Sequence, residues 1–282
     1  MYALLLKRAR VSVHTYKSFG GRMLIESVAH HLPVSLAILQ GGDIFHPPQS
    51  IEIPRILLRW LHFLAGITWI GLLYFFNLIN VPFQKTIDAD TKRKVNPELL
   101  LRSLWWFRWG ALITVLAGFA YYASFILSSE ARNAGENPWI LLLIWLVIVL
   151  VTYAILYGLY QVPALTKDGR VLAVVIAILV IVMSVIVVYV LGNASSIPGK
   201  YLGNKSLSIG VGGGIGILML LNVWGIIWPA QKRILAATRE GTAADPVLAR
   251  KAFLASRTNT WLSLPMLLFM GTSHGDWIIF GK

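Results

Sequence analysis

Two of the six histidines in this 282-residue chain lie inside long apolar segments, where an ionisable side chain is unusual. His62 belongs to the first such segment and His274 to the last. Ionisable residues are costly in an apolar medium and usually serve a function there, although a single histidine often joins two helices by a hydrogen bond. A neutral imidazole is also a common ligand of haem iron. The two histidines therefore predict either axial metal ligands or a structural pair, and the residue types alone leave both open.

Small residues accompany both histidines at the spacing that places side chains on one face of a helix. Gly66 lies four residues after His62, with Trp69 about one turn further on, and Gly271 lies three residues before His274. Such small residues leave room for a flat ligand such as a porphyrin edge. They also let two helices approach closely, which is the structural alternative.

Further residues extend the candidate site. Arg59 lies one turn before His62 on the same helix face, where it could pair with a haem propionate or anchor the helix at a membrane surface. Met270 is expected to pack rather than to bind metal, because methionine commonly fills gaps. The glycines of segment 210–216 could line a ligand or permit close packing. The predicted site thus has two metal ligands and four cofactor-binding residues: His62 and His274; Arg59, Gly66, Trp69 and Gly271.

The elements that must position these residues are membrane-spanning helices. The chain is 57% hydrophobic and only 13% charged, whereas soluble domains carry about 25% charged residues. Its apolar residues form blocks of the length that crosses a bilayer, about 18 or more residues. We therefore predict an all-α polytopic transmembrane bundle of about six spans at residues 53–282, preceded by a basic, surface-lying or poorly ordered arm at residues 1–52. The predicted spans are Ile56–Val81, Leu104–Leu127, Pro138–Gln161, Val171–Leu191, Ser208–Trp228 and Trp261–Phe280.

The basic residues of the loops predict the orientation of this bundle. The loops after the first, third and fifth spans carry about twice as many Lys and Arg residues as the loops on the other side. Loops rich in these residues stay in the cytoplasm. The bundle is then expected in the bacterial inner membrane, with its N- and C-terminal ends on the outer, periplasmic side. This orientation places His62 and His274 at similar depth in antiparallel spans.

Several classes of function are excluded or disfavoured. The net charge of +13 fits basic loops on anionic lipid better than nucleic-acid binding. The absence of cysteine excludes disulfides, iron–sulfur clusters and covalent c-type haem. A single carboxylate within the spans, Asp276, argues against a carboxylate proton relay. By sequence alone, Ser273 and His274 do not indicate a nucleophile–base pair, because neighbours on a helix point to different faces. Residues 229–260 are expected to form a solvated, lipid-facing loop with a helix at Ala244–Ser256.

Several segments together resemble the membrane domain of the bacterial membrane-bound urate oxidase (urate hydroxylase) family, over about residues 55–276. They are Arg59–His62, Ile67–Gly71, Leu104–Trp109, Asn222–Trp224, Ile227–Lys232, Ser256–Thr260, Leu262–Met266 and Ser273–His274. In that family a c-type cytochrome domain follows the membrane domain. Because this chain has no cysteine, the resemblance implies a membrane haem subunit whose redox partner is a separate protein.

Three functional hypotheses follow. The first is a haem b protein that passes electrons between a quinol or small substrate and an outer-side cytochrome c. The second is a non-catalytic accessory or assembly subunit of a larger membrane complex, with the Val/Ile-rich fourth span and the glycines of the fifth as docking surfaces. The third is urate oxidation by this chain together with a separate cytochrome c.

Overall fold

The computed structural model of the protein describes residues 49–274 and 277–281, so the predicted arm at residues 1–52 lies almost entirely outside it. Seven helices and no strand occur in this described part, and the prediction of an all-α bundle is confirmed. The helices are α1 (Glu52–Phe83), α2 (Ala89–Asn133), α3 (Pro138–Leu159), α4 (Pro163–Lys167), α5 (Gly169–Gly192), α6 (Asn204–Glu240) and α7 (Pro246–Thr272).

Five of these helices are long and apolar enough to cross a membrane: α1, α2, α3, α5 and α6. They correspond to the first five predicted spans, but α2 and α6 are much longer than predicted. The start of α2 extends through residues that were expected in a loop, and α6 continues past its proline to Glu240. Pro229 lies two residues after the π-helical segment Val223–Ile227, where the regular hydrogen-bond pattern of the α-helix is already interrupted.

The last helix corrects the prediction at both ends. A loop helix at Ala244–Ser256 and a separate span at Trp261–Phe280 were expected, but α7 runs without interruption from Pro246 to Thr272. Asp245 caps its start by accepting hydrogen bonds from the backbone N–H groups of Val247 (2.8 Å) and Leu248 (3.4 Å). The helix expected at Ala244–Ser256 is therefore present, but it is continuous with the last apolar segment instead of being separated from it by a loop.

The apolar residues after α7 fold back instead of extending the helix. Phe280 stacks on Phe269, with ring centroids 5.9 Å apart. The Oδ1 atom of Asn204, at the start of α6, accepts hydrogen bonds from the backbone N–H groups of Ile279 (3.1 Å) and Phe280 (3.0 Å). The apolar character of this segment reflects packing on the bundle, which the hydropathy pattern does not distinguish from a continuing span.

Each long helix buries a different share of its surface. Nearly all of α6 between Ser206 and Asn222 is buried among its neighbours, so α6 forms the centre of the bundle. By contrast, α1 buries only Ala65, Trp69 and Leu73 in its first 23 residues and packs mainly on α2. The apolar helix α5 buries one stripe, from Leu172 to Leu191, and exposes the remaining side chains as a lipid-facing helix would.

Three π-helical segments interrupt the regular helices: Phe75–Asn80 in α1, Tyr122–Leu127 in α2 and Val223–Ile227 in α6. Such segments are rare and often lie at functional sites. Polar side chains bond to the backbone around them. Asn77 donates to the Leu73 carbonyl at 3.0 Å, and Tyr153 donates to the Leu221 carbonyl at 2.9 Å.

Candidate cofactor cavity

A cavity of about 700 Å³ lies among α1, α2, α6 and α7. This volume is in the range of sites for organic ligands, about 300–1,000 Å³. The wall is mostly apolar and aromatic, and Trp145 contributes to it from α3. All six residues of the predicted site line this one cavity: His62, His274, Arg59, Gly66, Trp69 and Gly271.

The imidazole of His62 is half-buried and held in one orientation. Its Nδ1 atom lies 2.8 Å from the carbonyl oxygen of Thr114 on α2. A carbonyl can only accept, so Nδ1 carries the proton and Nε2 keeps its lone pair. Within the described residues, Nε2 has no hydrogen-bond partner. Metal-binding histidines commonly donate their other ring N–H to a carbonyl or carboxylate in this way, which fixes the tautomer.

Gly118, which was not predicted as a site residue, makes room for this imidazole. A Cβ atom at position 118 would lie 2.7 Å from both Cε1 and Nδ1 of His62. That is closer than real side-chain contacts allow, so any larger residue at position 118 would require the ring to shift. The sequence carries no separate signal for this role, because Gly118 lies on a different helix from His62 and glycine is common in membrane helices.

His274 lies at the open side of the cavity, and its position corrects two expectations. It follows the end of α7 by two residues rather than lying within a span. Its Nδ1 atom is 2.8 Å from Ser273 Oγ and 3.1 Å from the Met270 carbonyl, so the two neighbours do contact each other. The expectation that Ser273 and His274 point apart fails because helical geometry ends at Thr272.

The contacts of His274 leave its other ring nitrogen available. Ser273 Oγ donates to the Met270 carbonyl at 2.7 Å, so the imidazole Nδ1–H donates to the Ser273 hydroxyl and the Met270 carbonyl. The Nε2 atom then carries the lone pair, as it does in His62. Two imidazoles with the same free nitrogen thus border one cavity.

Two further polar groups belong to the cavity wall. Trp69 is only 1% exposed, and its indole N–H has no hydrogen-bond partner among the described residues. A buried donor without a partner costs about 1–3 kcal/mol and calls for an explanation such as a ligand or a water molecule. Tyr74, which was not predicted, holds its hydroxyl 3.0 Å from Ser263 Oγ. Because Ser263 donates to the Thr260 carbonyl at 2.7 Å, the tyrosine donates to Ser263 and keeps lone pairs for another donor.

Glycines divide between the cavity wall and the helix contacts. A Cβ atom added at Gly71, Gly216 or Gly271 would meet no atom within 4 Å, since all three border the open volume. At Gly210 and Gly212 it would approach side chains or backbone of α5 and α7 to 3.0–3.2 Å. Within segment 210–216, some glycines therefore border the cavity and others permit close helix contacts, and helix rotation decides which glycine lies where.

Arg59 and several exposed apolar side chains form the rim of the cavity. The guanidinium of Arg59 lies 5.8 Å from the ring centre of Tyr121 and makes no ion pair within the described residues. Phe63 and Ile67 of α1 and Leu267 of α7 line the cavity while remaining well exposed. The cavity therefore opens sideways between α1 and α7, in the apolar zone of the bundle.

The two imidazoles are too few to hold a bare metal ion but enough for a metal whose other ligands come from an organic cofactor. Within residues 49–274 and 277–281, no three His, Asp or Glu side chains converge on one point. A bare zinc or iron ion usually needs three or four protein ligands. Haem iron needs only two axial ligands, because the porphyrin supplies the other four. Two imidazoles beside an apolar, glycine-lined volume fit the second case.

Comparison with known proteins finds a family match. Residues 87–280 match the family model described as urate oxidase N-terminal, which covers more than two thirds of the chain. The matched range includes α2 to α7 and His274, whereas α1 with His62 precedes it. No curated protein and no solved structure matches the chain.

Proposed function

The chain belongs to the urate oxidase N-terminal family, and from this premise we propose that it is a membrane electron-transfer protein that holds haem b in the cavity. The family match confirms the resemblance drawn from the sequence motifs. The apolar helices indicate an integral membrane protein. The haem, its electron partners and the orientation in the membrane belong to the proposal.

One observation carries this proposal: both imidazoles border one cavity with Nδ1 engaged and Nε2 free. The Thr114 and Met270 carbonyls would hold the rings in the tautomer that can bind iron. Gly71, Gly216 and Gly271 leave space for a flat macrocycle. Haem b, when bound, supplies reversible one-electron oxidation and reduction.

Other residues of the cavity would interact with the haem, and the shape of the cavity would admit an electron donor. Arg59 is a positive charge at the rim that could offset the charge of a propionate, and Trp69 offers a buried N–H. Because the cavity opens sideways, a lipid-soluble quinol or another small substrate could approach from the bilayer. The electron acceptor would be a separate cytochrome c, or another subunit of a membrane complex, on the outer side of the bacterial inner membrane.

An optical spectrum tests the proposal. The purified full chain should show a reduced-minus-oxidised spectrum of the b type, and His62→Ala and His274→Ala should each abolish it. Met270→Leu is the matched control, since it keeps the cavity volume and both imidazoles and should retain the spectrum. A folded, haem-free wild-type protein would refute haem binding and favour an accessory or assembly subunit, which should then co-purify with partner chains.

Family membership and the polar groups of the cavity favour one further candidate, urate oxidation with a separate cytochrome c. The Trp69 N–H, the Tyr74 hydroxyl and the two imidazoles could together orient a planar, polar heterocycle. Membranes containing the chain should then reduce added cytochrome c when urate is supplied, two equivalents for each urate oxidised. Urate-independent rates, or equal rates with Trp69→Phe and Tyr74→Phe, would exclude this candidate.

A further inference from the structure

An arginine stacked on two tryptophans lies at the opposite side of the bundle from His274. The guanidinium carbon of Arg108 on α2 is 3.8 Å from the ring centre of Trp228 and 5.7 Å from that of Trp224, both on α6. The indole N–H of Trp224 donates to the Arg108 carbonyl at 3.2 Å. Trp109 packs edge-on against Trp224, with ring centroids 5.5 Å apart. The arginine is thus held in place by aromatic rings and backbone.

The charge of Arg108 has no anionic partner in the described part of the chain. Its side chain forms no ion pair or hydrogen bond there, and its Nε–H is buried without an acceptor. Stacking on tryptophan contributes about 0.5–2 kcal/mol. The ring face lies above the guanidinium plane, however, so it cannot accept hydrogen bonds from the N–H groups that point outward within that plane. A positive charge without an anionic partner is costly at a partly buried position between two helices. The geometry therefore leaves the coordination of Arg108 incomplete.

The position of Arg108 along α2 identifies the level in the membrane. Residues 109–129 contain no charged side chain, and a helix of that length rises about 32 Å, close to the hydrocarbon thickness of about 30 Å. Arg108 thus lies where the hydrocarbon zone ends and lipid phosphates begin. The same end of α2 and α6 carries further basic residues, among them Arg102 and Lys232.

From these contacts we propose that Arg108 is a binding site for the phosphate of an anionic membrane lipid. A guanidinium binds phosphate through two parallel N–H bonds, and basic pockets between membrane helices recognise acidic headgroups. Trp105, Trp106 and Trp109 lie within three residues of Arg108 along α2, contact one another and are exposed, so their rings can pack against the glycerol and acyl chains of a lipid. A soluble anion would gain nothing from this apolar surround.

The lipid site is independent of the proposed haem site. Thr114 is the first residue of α2 that lines the cavity, and it lies six residues beyond Arg108, about 9 Å along the helix. Arg108 does not border the cavity. Either proposal can fail without affecting the other.

Native mass spectrometry of the delipidated full chain tests this site. Wild-type protein should retain added phosphatidylglycerol about fivefold more tightly than phosphatidylcholine, as one positive charge near the headgroups implies. Arg108→Gln should remove this preference. Arg102→Gln is the matched control, because Arg102 is 82% exposed and pairs with Glu98, and it should keep the preference. Inorganic phosphate at the same concentration should not compete if the lipid is the ligand.

A second variant covers the case in which Arg108→Gln does not fold. Arg108→Lys keeps the charge but loses the planar, two-bond geometry, so its preference for phosphatidylglycerol should fall below that of the wild type. Equal retention of both lipids by the wild type would overturn the proposal, as would an unchanged preference in Arg108→Lys and Arg108→Gln. Competition by inorganic phosphate would overturn the assignment to a lipid and identify the ligand of Arg108 as a soluble anion.

Discussion

Replacing Gly118 by alanine should displace the imidazole of His62. The new methyl group would lie 2.7 Å from Cε1 and Nδ1 of that ring, whereas ordinary contacts begin at about 3.4 Å. The ring must therefore move by several tenths of an ångström or rotate. Either movement weakens its 2.8 Å hydrogen bond to the Thr114 carbonyl, because Thr114 lies one helical turn from Gly118 on the same helix.

The expected cost can be separated from the effect of alanine on the helix. Overpacking of this kind costs about 1–3 kcal/mol, while glycine-to-alanine replacement in a helix gains up to about 1 kcal/mol. Gly66→Ala is the matched reference, since it lies half-buried at the same cavity and its Cβ would meet Thr114 Cγ2 at 3.5 Å, an ordinary contact. Gly118→Ala should therefore be less stable than Gly66→Ala by about 1–3 kcal/mol.

A double-mutant cycle supplies the decisive assay. Equilibrium unfolding in mixed detergent micelles, followed by tryptophan fluorescence, should show that Gly118→Ala costs little once His62→Ala has removed the ring. The coupling energy between positions 62 and 118 should then equal about 1–3 kcal/mol. If haem is bound, Gly118→Ala should also weaken its retention by about 10- to 100-fold, the usual effect of disturbing a ligand's supporting hydrogen bond.

Two results would refute this reasoning. One is equal stability of the Gly118→Ala and Gly66→Ala variants. The other is an unchanged penalty for Gly118→Ala in the His62→Ala background, which would place the strain somewhere other than the imidazole.

Two further predictions concern a helix cap and a buried hydrogen bond. Asp88 accepts hydrogen bonds from the Thr91 backbone N–H (2.9 Å) and hydroxyl (2.6 Å), and these bonds lower the pKa of its carboxyl below the ordinary value. The stabilisation by this carboxylate is complete above the ordinary carboxyl pKa of about 4 and is lost as the pH falls through the lowered pKa. The free energy of unfolding, measured between pH 2 and 5, should therefore depend less on pH in Asp88→Asn than in the wild type. Trp145→Phe keeps an aromatic ring against Tyr122 but removes the 2.8 Å hydrogen bond from the indole N–H to the buried Gly210 carbonyl. The free energy of unfolding, measured with heat and with denaturant, should fall by about 1–3 kcal/mol. An unchanged stability would contradict a stabilising role for this hydrogen bond.

The fold class and most of the span positions could be predicted because they depend on local composition. A block of apolar residues is stable in lipid only as a helix that satisfies its own backbone groups, whatever its neighbours are. This reasoning located α1, α3 and α5 within a few residues of their observed limits. It failed at α7, where charged residues begin the helix and the apolar residues after Thr272 return to pack on Phe269 and Asn204.

The residues of the candidate site were also largely visible in the sequence, but their relations were not. His62, His274, Gly66 and Gly271 stand out because ionisable and small residues are conspicuous in apolar segments. That all of them border one cavity depends on how α1 and α7 are rotated against α2 and α6, and this packing is set by contacts between distant residues. The roles of Gly118 and Thr114 follow from the same packing.

The sequence by itself determined the all-α fold class, the apolar segments that can span a membrane and the two histidines of the candidate site. Only the tertiary structure decided which ring nitrogens remain free, which glycines border open space, and that Arg108 stacks on Trp224 and Trp228 without an anion. The physical reason is the range of the interactions. Hydrophobicity acts residue by residue along the chain, whereas hydrogen bonds and close contacts between helices depend on rotations and crossings that no single segment encodes.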